Sequence, residues 1–147
     1  MDKKKVIDAL NHILEIELAG VVRYSHYSLM IFGYSRIPIV AWFRGVASES
    51  LAHAHIAGEY VTALGGHPSL KIGKLLETER HNIEDILRES IEHEVGGVQA
   101  YRDLLALVED KDVRLEEYAR EMIQSEENHI SEIEKMLRKP GDLKPAT

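Results

Sequence analysis

Apolar residues recur at steps of three and four in four long segments of the chain, the spacing of amphipathic helices. The first covers about residues 4–32, with Val6, Leu10, Ile13, Leu14, Val21 and Tyr24 on one side. GYSRIP then breaks the pattern, and Pro38 is placed to open a second helix that runs to about Leu64, where GGHP stops it. The third spans about 79–108 and carries Ile83, Ile86, Leu87, Ile91, Val98, Tyr101, Leu104 and Leu105. After EDKD, with Asp112 as N-cap, a fourth helix runs to about Arg138. Residues 1–138 are therefore expected to form one domain. The remainder, 139–147, holds Pro140 and Pro145 and is expected to be a flexible tail rather than a fifth helix.

The connections set the topology. The first and third are short, so each joins antiparallel neighbours. The middle one, GGHPSLKIGKLLET (65–78), is far longer than a helical hairpin needs. At about 3.3 Å per residue its reach is about 45 Å, enough to run beside a helix about 40 Å long. The expected fold is all-α, a four-helix bundle with one long crossover connection between helices 2 and 3.

Five polar positions interrupt the apolar stripes. In the fourth helix the stripe Leu115, Ala119, Met122, Glu126, His129, Ile133, Met136 turns a carboxylate and an imidazole inward. Glu17 falls among Leu10, Ile13, Leu14, Val21 and Tyr24, and Glu94 among Leu87, Ile91, Val98 and Tyr101. The second helix brings in His53, between Val46 and Ala57. A buried carboxylate costs several kcal/mol unless something compensates it, and several together repel. A divalent metal compensates them all, and carboxylate oxygens with neutral imidazoles suit iron or manganese. Glu126 and His129, three residues apart, share one helix face. Tyr24 packs in the core, and its hydroxyl could also hold a neighbouring carboxylate in place.

Composition narrows the chemistry. The chain has 147 residues, 44% apolar and 29% charged, and contains no cysteine, which excludes disulfides, thiolate catalysis and iron–sulfur clusters. A net charge of −7 leaves no basic surface for a phosphate backbone, so nucleic acid is not an expected partner. No apolar run approaches the ~18–20 residues of a membrane span, and no signal peptide is read at the N-terminus. The expected compartment is the cytoplasm.

These segments resemble bacterioferritin, within the ferritin-like di-iron carboxylate superfamily. LNHILEIELAGVVRY is similar to that family's first helix, HEVGGVQAYRDL to its third, SEENHI to its fourth, and LGGHPSL to the turn before the crossover. The resemblance implies two iron ions, cycling between Fe2+ and Fe3+, held by Glu17, His53, Glu94, Glu126 and His129. Glu17, Glu94 and Glu126 would be the catalytic carboxylates, Glu126 bridging the irons. The implied activity is that of a ferroxidase-type oxidoreductase, oxidising Fe2+ with O2 or H2O2 in iron handling and detoxification. The alternatives are a ferritin-like peroxidase, or a non-catalytic helical-bundle interaction protein with a degenerate metal site.

The second helix departs from the family pattern. Glu-x-x-His is expected there, but Ser50 stands three residues before His53 and the acid is Glu49, four before it. In one register the inward stripe is Trp42, Val46, Glu49, His53, Ile56 and Tyr60, which makes Glu49 the sixth ligand, also bridging. In the other it is Phe43, Val46, Ser50, His53, Ala57 and Val61, which turns Glu49 toward solvent. The sixth ligand is assigned to Glu49. Leu51 stands where the family has its haem-ligating Met, so no haem is expected. Without a fifth helix a storage cage is left open, and a homodimer or larger homo-oligomer is expected.

Overall fold

The computed structural model describes residues 1–145; the last two residues of the expected tail lie outside the described residues. Among these residues the regular elements are four helices: α1 (Lys3–Leu29), α2 (Arg36–Ala63), α3 (Ile83–Val108) and α4 (Val113–Leu137). Side-chain caps start three of them. The carboxylate of Asp2 accepts from the Lys5 N–H at 3.1 Å, the amide of Asn82 from Glu84 at 2.8 Å, and Asp112 from Leu115 at 3.0 Å. Each cap satisfies an N–H that has no partner inside its helix.

Three boundaries differ from expectation. The first helix ends at Leu29 rather than about 32. Pro38 sits third in α2, behind Arg36 and Ile37, where its missing N–H is still harmless. The third helix begins at Ile83 rather than 79, because Glu79 takes a left-handed φ of 55° that no helix accommodates.

The chain packs as two compact units, the first Met1–His81 and the second from Asn82 onward. In the first unit α1 and α2 run antiparallel. The ring of Phe43 stacks on Tyr24 at 6.0 Å and meets Tyr27 at 5.9 Å. The connection after α2 turns on Gly65, with φ of 80°, and then runs along α1 from its N-terminal half toward its C-terminus. Asn11 clamps the start, donating to His67 O at 3.1 Å and accepting from the Ser69 N–H at 2.8 Å. Gly73 N–H donates to Glu15 O at 2.7 Å, and Arg23 donates to Lys74 O at 3.1 Å. At Gly73 the approach is so close that a Cβ would lie 3.1 Å from Glu15 O and 3.3 Å from Ile16 Cα. The long connection is thus a crossover tied by hydrogen bonds to the helix it passes.

In the second unit α3 and α4 are joined by a tight turn in which Asp110 has φ of 61° and Val108 O accepts from Lys111 and Asp112. Tyr101 and Tyr118 meet edge to face at 5.9 Å. Arg120 closes the turn end by pairing with Glu109 and Glu116.

Candidate metal centre

Three carboxylates are buried on these helices: Glu17 on α1, Glu94 on α3 and Glu126 on α4, each 5–6% exposed. In the first unit Glu17 Oε1 lies 3.6 Å from His53 Nδ1. In the second, Glu94 Oε1 lies 3.3 Å from His129 Nδ1. Glu94, Glu126 and His129 each offer one donor atom, and these atoms lie within 4.8 Å of one another. The donors are hard oxygens and imidazole nitrogens without sulfur, a set that fits iron or manganese. Two carboxylates brought so close repel strongly when both are ionised, and a cation relieves that repulsion.

The two units place these residues alike. ELAGVVRY (17–24) in α1 and EVGGVQAY (94–101) in α3 share the pattern Glu-x-x-Gly-Val-x-x-Tyr. In each, the Glu, the Gly and the Tyr are buried. On the partner helix an imidazole completes the set, His53 in α2 and His129 in α4, with side chains 19% and 17% exposed.

A family model described as a ferritin-like domain matches residues 7–141. The chain belongs to the ferritin-like domain family. A bacterioferritin of Desulfovibrio desulfuricans is 26% identical over 133 residues, which span 88% of this chain and 72% of that one. The crystal structure of a ferritin-like, diiron-carboxylate protein from Bacillus anthracis matches with a TM-score of 0.85 at 23% identity, covering 94% of this chain and 99% of the other. The fold is therefore the all-α, ferritin-like four-helix bundle with one long crossover.

Most of the expected site residues of this ferritin-like chain have a ligating neighbour. Glu17 and His53 come together, as do Glu94, Glu126 and His129. Glu49 joins neither group: it is exposed, while Ser50 is only 6% exposed. The buried stripe of α2 is the second register, Phe43, Val46, Ser50, Ala57 and Val61. Tyr24 is fully buried against Phe43. Tyr101, buried seven residues beyond Glu94 as Tyr24 is beyond Glu17, was not singled out from sequence. The recurring Glu-x-x-Gly-Val-x-x-Tyr pattern is the signal that finds it.

Proposed function

We propose that the chain binds two Fe2+ and oxidises them with O2 or H2O2, as a cytoplasmic ferroxidase acting as a homodimer or larger homo-oligomer. The observation that supports this best is a buried acid–imidazole set in each helix pair of a ferritin-like chain. The relatives' names, bacterioferritin and diiron-carboxylate protein, favour the same metal. Glu17 and His53 would ligate in the first pair, and Glu94, Glu126 and His129 in the second. Glu49, being exposed, is left out of the set. Leu51 offers no sulfur or nitrogen to a haem iron.

Iron is the substrate. Two Fe2+ lose one electron each, and O2 takes both with two protons to leave as H2O2; H2O2 in its place takes two electrons and two protons to leave as two waters. Carboxylates favour the more highly charged Fe3+ and so make electron loss easier. The imidazoles remain neutral nitrogen donors, and burial keeps bulk water from screening the charges.

Ser50 favours the rival reading, a helical interaction protein whose metal site has degenerated. An anaerobic Fe2+ titration of metal-stripped protein, followed by admission of O2 with near-ultraviolet ferric absorption recorded, decides between them. Two irons per chain, oxidised faster than in buffer, are expected. One iron or none, with oxidation no faster than in buffer, would leave the interaction protein standing. Consumption of H2O2 only alongside an added organic reductant would instead indicate a peroxidase.

A further inference from the structure

The turn between α1 and α2 puts large apolar side chains into solvent. Leu29, at the end of α1, is 60% exposed, Phe32 is 65%, Ile37 is 84%, and Tyr34 is wholly exposed. The turn holds them there. Ile31 is fully buried beneath it, and its carbonyl accepts from Arg36 Nη1 at 2.6 Å. Gly33 takes a left-handed φ of 94°, and its carbonyl accepts from the Arg36 N–H at 3.1 Å. A cluster of exposed apolar side chains on a fixed turn marks a surface that meets something less polar than water.

Charge narrows what that is. From residue 18 to residue 48 the chain has three arginines, Arg23, Arg36 and Arg44, and no carboxylate. The remainder, with 15 basic and 25 acidic residues, holds a net charge of −10. Glu17 and Glu49 each stand twelve residues from the turn, counted from Leu29 and Ile37, which is about 18 Å along either helix. That is about two screening lengths at physiological salt, so their charge is weak at the tip. From the crossover, Glu77 comes nearer, lining a cleft with Arg23 and His26, where two bases face it. The tip of this hairpin is therefore apolar and positive in an acidic chain.

We propose that the α1–α2 tip is a peripheral membrane contact, in which Leu29, Phe32, Tyr34 and Ile37 enter the headgroup boundary of a bilayer and Arg36 and Arg44 meet anionic lipid headgroups. Aromatic and aliphatic side chains beside arginine are the composition that settles at that boundary. A second copy presenting the same tip would set arginine against arginine with no carboxylate between them, and like charges across an interface are unfavourable. A bilayer needs no matching recess for the four side chains, and its anionic leaflet supplies the missing negative charge. This contact is independent of the iron reading above and stands or falls without it.

The test is flotation of the full chain with vesicles of phosphatidylcholine alone and of phosphatidylcholine with one-quarter phosphatidylglycerol. The emission of Trp42, the one tryptophan of the chain, five residues beyond Ile37 in α2, is recorded alongside. Two arginines at the surface should favour the anionic vesicles by about thirtyfold, a preference that falls in 0.5 M salt. The double variant Phe32→Ser, Tyr34→Ser should bind at least about tenfold more weakly, having two large side chains fewer to withdraw from water. Arg44→Gln should lose about fivefold on anionic vesicles and nothing on neutral ones. No flotation with either vesicle, equal binding to both, or binding that the double variant leaves intact overturns the proposal. Light scattering supplies the other occupant: an oligomer that the double variant breaks apart, with no vesicle binding, would make the tip a contact between copies and overturn the membrane assignment. Should the double variant not fold, the wild-type comparison of the two vesicles still decides.

Discussion

Glu126→Gln separates what the buried cluster does for stability from what it does for metal. Donor atoms of Glu94 and Glu126 lie within 4.8 Å of each other. Two unit charges at that separation repel by roughly 3 kcal/mol at an effective dielectric constant of about 20. Glutamine keeps the shape and removes the charge, but it gives up attraction to His129 whenever that imidazole is protonated. The net gain for the metal-free protein is about 1–3 kcal/mol, on the scale at which buried charges are replaced without loss. For a chain of this length that raises the melting midpoint by about 2–10 °C. Metal should reverse the ranking. At a Mn2+ concentration of about 100 times its Kd the wild type gains about 2.7 kcal/mol, while the variant, lacking one anionic donor, gains little. Thermal unfolding followed by far-ultraviolet circular dichroism, with and without Mn2+, reads both effects. A metal-free variant that melts below the wild type, together with equal Mn2+ shifts in the two proteins, would refute the electrostatic reasoning.

Two further predictions concern the crossover. Gly73→Ala drives a methyl against the backbone of Glu15 and Ile16, which cannot move aside as a side chain can, so a loss of about 1–3 kcal/mol is expected in urea unfolding. An unchanged midpoint would mean that the crossover is not held closely at this point. Asn11→Ala removes both hydrogen bonds to the start of the crossover, at His67 O and the Ser69 N–H. Amide exchange at Ser69 should quicken by about tenfold, equivalent to about 1.4 kcal/mol of local stability; protection equal to the wild type would show that Asn11 is not the clamp.

Helix number, crossover and the inward carboxylates were legible because each depends on a long periodic signal. Leu115, Ala119 and Met122 fix the inward face of α4 so firmly that Glu126 can only be buried. The face of α2 was not legible in the same way. Hydrophobicity draws the eye to Trp42 and Ile56, but the buried stripe runs through Ser50, Ala54 and Ala57, whose small side chains suit close packing. The register assigned from sequence turns Glu49 inward together with Trp42 and Ile56, and Ile56 is in fact 41% exposed. At the start of α3, Glu79 and Arg80 have good helix propensity, yet the left-handed turn at Glu79 and the cap at Asn82 delay the helix. Met136, at the end of the α4 stripe, is 38% exposed because it stands in the last turn of the helix.

The Glu-x-x-Gly-Val-x-x-Tyr stretch, written once in α1 and again in α3, gives the chain the form of a doubled hairpin. Each half then serves as an internal control for the other. Removing Glu17 or Glu94, or trimming Tyr24 or Tyr101, perturbs one position in two settings of the same molecule, under the same buffer and the same metal. Any inequality between the paired responses must come from the places where the two copies part. Positions 50 and 126 are the chemically sharpest of these, so the protein carries its own reference for what a single carboxylate is worth.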